Sequence, residues 1–193
     1  MRHYSEAAAL RSSLPHTWLK PRKSAVNILQ TPRLDLRQPV PADAPFILTL
    51  VNDPDWLRFI GDKNVHDLED ARGYIANGPT AMYARHGYSL LLVSLKDSTP
   101  IGLCGLLKRD ALEHADIGFA YLPAYRGQGY AREAAAATLA HGRDSLGLKR
   151  ILAITSPDNE ASGKLLEKIG LRLQGLHTMP GETRQVRLFS IDF

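Results

Sequence analysis

The stretch Arg126-Gly-Gln-Gly-Tyr-Ala131, set between an apolar run and a long alanine-rich segment, constrains this 193-residue chain more than any other. Glycines at 127 and 129 permit backbone dihedrals closed to other residues and leave the neighbouring N–H groups uncovered. The residues from about 129 to 145 have the small side chains of a helix that lies close to a sheet. A helix that opens at the glycines adds free first-turn amides and the positive end of its dipole, so the turn is a ready anion site. A diphosphate-bearing ligand suits it. The dinucleotide fingerprint does not fit: begun at Gly127, it needs a third glycine where this chain has Arg132.

The length and a 44% hydrophobic content suit one compact domain with a sizeable core. No apolar run approaches the ~20 residues that span a bilayer, so the expectation is a soluble, cytoplasmic protein with no membrane partner. The single cysteine, Cys104 in IGLCGLL, excludes an internal disulfide framework and reads as a small buried residue. The seven histidines show no metal-ligand spacing, so no metal is expected. The net charge of +4 is unevenly placed. Residues 1–30 hold Arg2, Arg11, Lys20, Arg22 and Lys23 against Glu6 alone, leaving 19 basic and 19 acidic residues for the remainder. A neutral domain gives little support to nucleic-acid binding. The stretch 1–30 shares its arginine, serine and scarcity of acids with transit peptides, but a loosely ordered tail is the simpler reading.

A domain over residues 31–193 follows. Thr31-Pro-Arg-Leu-Asp-Leu-Arg37 alternates as a half-exposed strand. Pro41-Ala-Asp-Ala-Pro45 opens a helix through Phe46, Ile47, Leu50 and Val51. A short helical turn at Trp56 ends by Gly61, and a third helix runs from Asp67 to Asn77-Gly78. Residues 88–95 and 101–107 form a hairpin, 114–121 a central strand, and 150–155 the strand after the long helix. Asp158-Asn159 caps a helix closed by Gly170, and strands near 171–177 and 184–192 end the chain.

The central stretch, with its R-x-x-G-x-A turn, resembles the pyrophosphate loop of the GCN5-related N-acetyltransferases (GNAT). The run N-E-A-S-G-K-L-L-E-K-I-G-L from Asn159 to Leu171 resembles that family's second motif, with Leu171 where an aromatic is usual. T-x-R-L-x-L-R at 31–37 is similar to the first strand of the ribosomal-protein (RimJ/RimL-like) branch. The resemblance covers residues 31–193. It implies an α/β (α+β) acyl-CoA N-acyltransferase fold: a mixed sheet with splayed strands, flanked by helices, in the order β, three helices, βββ, α, β, α, ββ. It also implies acetyl-CoA as co-substrate.

On that resemblance, amides of Arg126, Gly127, Gln128, Gly129, Tyr130 and Ala131 receive the pyrophosphate. The backbone of Phe119, Ala120 and Tyr121 holds the pantetheine arm where the central strand leaves its neighbour, and one of its N–H groups polarises the thioester carbonyl. Asn159 reaches the cofactor, or caps its helix, or both. Ser162 matches a thiolate proton donor, its rival role being a bond to its own backbone. The base stays open: Asp116 stands where relatives often carry glutamate, His114 has a suitable pKa two residues away, and Glu113 begins the strand.

For the acceptor, Trp56 and Phe59 offer an apolar wall. Asp53, Asp55, Asp62, Asp67, Glu69 and Asp70, against Arg58 and Lys63, offer attraction for a cationic amine. Acids at helix starts also serve simply as favourable end charges. The function expected is transfer of an acetyl group to a primary amine, on a protein N-terminus or a small molecule such as a polyamine or aminoglycoside, by direct attack in a ternary complex. A non-catalytic acyl-CoA-binding module of the same fold is the alternative, and a protein that binds nucleic acid through its basic tail is a third. A homodimer is left open.

Overall fold

The computed structural model describes residues 27–180 and 184–193. The expectation of an extension over 1–30 falls on residues 1–26, outside those described, and on Asn27–Gln30, which form strand β1. This strand pairs antiparallel with β2 (Leu34–Arg37), and Ile28 and Leu29 pack against the core. A boundary drawn at Thr31 therefore cuts a hairpin, because two apolar residues in a basic stretch make no readable alternation. A chain beginning at Thr31 should melt roughly 5 °C below one beginning at Asn27, since half-burying two aliphatic side chains is worth about 1–2 kcal/mol. Equal melting temperatures by calorimetry would show β1 to be dispensable.

Between β2 and β3 (Leu90–Leu95) lie α1 (Ala44–Val51), α2 (Pro54–Phe59), α3 (Leu68–Ile75) and α4 (Ala81–His86). The third expected helix does not stop at Asn77-Gly78. A wider turn at Ala76–Thr80 absorbs Pro79 and passes the chain into α4. Pro79 lacks an N–H but sits where the helix has already widened, so the break signal is accommodated rather than obeyed.

The strands β4 (Pro100–Leu107), β5 (Asp116–Tyr121), β6 (Arg150–Thr155), β7 (Arg172–Thr178) and β8 (Gln185–Asp192) complete one sheet of order β1-β2-β3-β4-β5-β6-β8-β7. Helix α5 (Tyr130–Asp144) crosses from β5 to β6, the one parallel pair among the described residues, and α6 (Glu160–Lys168) joins β6 to β7. Only part of the alanine stripe faces the sheet: Ala134, Ala135, Thr138, Leu139 and Gly142 are buried, while Ala140 is exposed. Cys104 lies under this helix, fully buried, with Sγ 3.6 Å from Thr138 Oγ1 and its thiol pushed up to about 12 by burial. It is packing, not a nucleophile.

Side-chain alternation assigns the core. Leu91, Val93, Ile117, Ile151 and Ala153 face α5 and α6. Their neighbours face the other way, in two separate clusters: Leu92 and Leu103 with α1 and α3, and Leu152 with Met179 and Val186. The gap between these two clusters positions the site.

Candidate active site

β4 pairs with β5 over its whole length, from Gly102↔Tyr121 to Leu107↔Asp116. On its other side β5 makes a single bridge to β6, Asp116↔Leu152, with Leu152 N–H donating to Ala115 O at 2.9 Å. Beyond that bridge the strands part. The ladder's alternation puts the N–H and C=O of Phe119 on the β6 side, where no strand meets them. The parting starts at Asp116, earlier than the expected point after Phe119–Tyr121. It opens a cleft of about 970 Å³ between the two walls.

The glycine turn forms one end of this cleft. Gly127 (φ 71°) and Gly129 (φ 82°) both take the left-handed conformation, and Gly129 is the N-cap of α5. Glu133 N–H donates to Gly129 O at 3.0 Å, so the amides of Tyr130, Ala131 and Arg132 precede the first helical bond. Thr31 and Arg33 brace the turn from behind. Thr31 Oγ1 bonds Glu133 at 2.6 Å, Arg33 Nη1 donates to Gln128 O at 3.0 Å, and the Arg33 guanidinium stacks 4.6 Å over the Tyr130 ring. Thr31 and Arg33 lie in the turn between β1 and β2, not in the strand expected over 31–37, and this bracing gives the T-x-R element a physical purpose.

Of the residues expected at the cofactor, Phe119, Ala120, Tyr121, Arg126, Gly127, Gly129, Tyr130, Ala131 and Asn159 line the cleft. Gln128 does not; its side chain folds back to Ala124 O at 2.7 Å. Tyr121 packs its ring into the α5-side core, leaving its backbone to the cleft edge. Arg126 is not the free loop cation the sequence allowed: each of its three nitrogens bonds within the protein. Its Nε donates to Tyr121 O at 2.8 Å, Nη2 to Asp53 at 2.6 Å, and Nη1 to Asp55. Asn159 does cap α6, accepting from Ser162 N–H at 3.1 Å, and both residues also line the cleft.

Asp116 sits at the point of divergence with 1% exposure, both carboxylate oxygens accepting from Arg109 Nε at 3.1 and 3.0 Å. Burial raises its carboxyl above the ordinary range, and the Arg109 guanidinium only partly offsets this. His114 and Glu113 are off the cleft wall. The strand begins at Asp116, so alternation does not carry back to His114, whose Nε2 lies 4.0 Å from the exposed Glu113.

Trp56 and Phe59 both line the opposite wall; Trp56 is also 95% buried in the α1–α3 core. The cluster of acids behaves as helix-end and turn chemistry. Asp53 and Asp67 cap α2 and α3, Asp62 accepts from Asn64 N–H, Asp70 from His66 N–H, and Glu69 pairs with Arg72. Asp53 and Asp55, the two of these acids that line the cleft, both pair with Arg126; Asp62, Asp67, Glu69 and Asp70 lie off its lining.

Among the lining residues that sequence reasoning did not assign to the site are Arg109, Tyr74 and Arg184. Arg109 stood in a charged loop, Lys108-Arg-Asp110, that looks like any solvated turn. Tyr74 falls inside the helix expected from Asp67 to Asn77-Gly78 and carried no signal of its own; its phenol is pushed up to about 12 by burial. Arg184 Nη2 donates to Ser156 Oγ at 2.6 Å, and Arg58 pairs with Asp158 at 2.9 Å, tying α2 to the loop before α6.

The chain's residues 33–172 match the model of the acetyltransferase (GNAT) domain. It is 31% identical over 151 residues to the uncharacterized N-acetyltransferase YoaA of Bacillus subtilis, covering 77% of this chain and 85% of that protein. Among solved structures, a GNAT-family acetyltransferase from Bacillus anthracis superposes with a TM-score of 0.71 at 26% identity, over 85% and 97% of the two chains. RimL, a ribosomal alpha-N-protein acetyltransferase in complex with coenzyme A, superposes with a TM-score of 0.74 at 19% identity, over 87% and 98%. Sheet order, glycine turn and sequence agree: the chain belongs to the GNAT acetyltransferase family.

Proposed function

We propose that the cleft takes acetyl-CoA and that the protein moves the acetyl group to a primary amine, as an N-acetyltransferase of the RimL-like kind. The observation that carries this reading is the parting of β5 and β6 beside the start of α5. An extended arm with amide groups is complementary to a strand edge without a neighbour. Its diphosphate end is complementary to amides at a helix start. RimL, a structural neighbour of the same fold, was solved in complex with coenzyme A, which supports coenzyme A as the kind of ligand.

In the proposed chemistry the amine nitrogen bonds to the thioester carbonyl carbon, the C–S bond breaks, and one proton leaves nitrogen as one reaches sulfur. Phe119 N–H is the candidate to polarise the carbonyl oxygen. Asp116, fixed by Arg109, takes the amine proton through a water, its raised pKa bringing it nearer neutrality. Ser162 gives a proton to the departing thiolate. Because a thiolate leaves tolerably unaided, Ser162→Ala should lower kcat only about tenfold and leave acetyl-CoA affinity within a few-fold. Thiol release with an amine panel reads the first, calorimetry the second. Unchanged kcat would remove Ser162 from the chemistry.

A further inference from the structure

The cleft wall carries three carboxylates, Asp53, Asp55 and Asp116, and each already has an arginine partner. Arginines and lysines exceed them in the cleft lining: Arg132 and Lys164 lie on α5 and α6, Arg184 bonds Ser156 beyond the end of β6, and Arg109 stands at the divergence of the strands, on Asp116. A polycationic acceptor would therefore find no unpaired carboxylate there among the described residues.

Arg109 is arranged differently from Arg126. Arg126 spends all three nitrogens on the protein. Arg109 spends only Nε, on Asp116, and among the described residues its two Nη groups have no hydrogen-bond partner. The side chain is 41% exposed and lines the cleft with Tyr74, Leu90, Leu107 and Met179. A nearly buried carboxylate thus fixes a guanidinium whose forked edge remains available. Such a fork matches a carboxylate or phosphate in two parallel bonds. Tyr74, close enough for its phenol to feel the Arg109 charge, stays protonated and is a further donor.

We propose that Arg109, held by Asp116, binds an anionic group on the acceptor, so that the favoured substrate is a primary amine carrying a carboxylate. This rests on the acetyltransferase reading above and narrows it. A free amino acid and an acidic peptide N-terminus share that chemistry, and a polyamine or an aminoglycoside lacks it.

The test uses the full chain, acetyl-CoA and matched acceptors: β-alanine against its amide, the C-terminally amidated peptide Asp-Ala-Ala against Asn-Ala-Ala, and spermidine. In at least one pair, kcat/KM should favour the carboxylate at least about tenfold, the scale of a charge-assisted hydrogen bond, and spermidine should fall below it. The pair that responds separates the small molecule from the peptide. In Arg109→Gln the ratio within that pair should fall close to one, with acetyl-CoA affinity unchanged within about threefold. Any general loss from disturbing Asp116 cancels in the ratio. Arg109→Lys, which keeps the charge but not the fork, should give an intermediate ratio and serves if the glutamine variant does not fold. Ratios near one in the wild type, a ratio unaltered by Arg109→Gln, or preference for spermidine would overturn this inference while leaving acetyl transfer intact. Acetylation of no amine by a protein that binds acetyl-CoA would overturn both.

Discussion

Replacing Gly129 by valine should raise the dissociation constant for acetyl-CoA at least a hundredfold. At φ 82° a β-branched residue is strained, and its Cβ would stand 3.3 Å from Arg33 Nη2, in the brace behind the turn. The turn would have to shift, and with it the amides of Tyr130 and Ala131 that precede the first bond of α5. Strain of about 1–3 kcal/mol also lowers stability, so a control is needed. Gly147, at φ 67° with open space around it and outside the cleft, supplies one. Gly147→Val should lose similar stability and keep its acetyl-CoA affinity in calorimetry. Equal affinities for the wild type and Gly129→Val would dismiss the turn as the diphosphate site.

Asp116→Asn should lower kcat by roughly 10²-fold while acetyl-CoA affinity stays within a few-fold, because a base acts in the transition state and not in cofactor binding. The defect should shrink at high pH, where more acceptor arrives neutral, so the ratio of the two enzymes is compared across pH. A flat ratio near one would make Asp116 a structural residue only. Stability gives a second signature with a definite sign. The folded-state pKa of Asp116 is raised, mainly by burial, so the native state holds its proton more tightly than the unfolded chain does. Its contribution is fully present below the ordinary aspartate value and is lost as pH rises through the folded value. The melting temperature of the wild type relative to Asp116→Asn should therefore decline across that window and then level. A rise would mean that the Arg109 pair outweighs burial.

Much of the fold was legible because it is written in local patterns. The glycine turn and the capping residues Asp67 and Asn159 fall where reading the chain puts them, and the expected strands form, though β2 and β5 start two to three residues later than expected. What escaped depended on distant partners. Asn27–Gln30 is a strand only because Leu34–Arg37 lies beside it, and α4 follows a turn that local signals mark as an end. At the site, thirteen expected residues, from Trp56 to Ser162, line the two walls of one cleft. Glu113, His114 and Gln128 do not, the first two because the strand starts only at Asp116, the third because its amide turns back on the loop. The larger shift concerns charge. Sequence counts acids but not their partners, and a salt bridge such as Arg126 with Asp53 and Asp55 joins residues some seventy positions apart. The two acids of the patch that reach the cleft are paired with Arg126, and Arg109, drawn from an ordinary loop, becomes a side chain with hydrogen-bonding capacity to spare.

The most direct test of the account is mass spectrometry of both the acceptor and the protein after incubation with acetyl-CoA and a panel of carboxylate-bearing, neutral and cationic amines, with free thiol counted alongside. The account predicts an acetylated amine and coenzyme A formed one to one, and a protein of unchanged mass when acetyl-CoA is supplied alone. Stoichiometric acetyl-CoA binding with no acetylated amine across the panel would contradict it and favour a module that binds the acyl-CoA without turnover. Acetylated protein competent to pass the group on would contradict direct attack in a ternary complex.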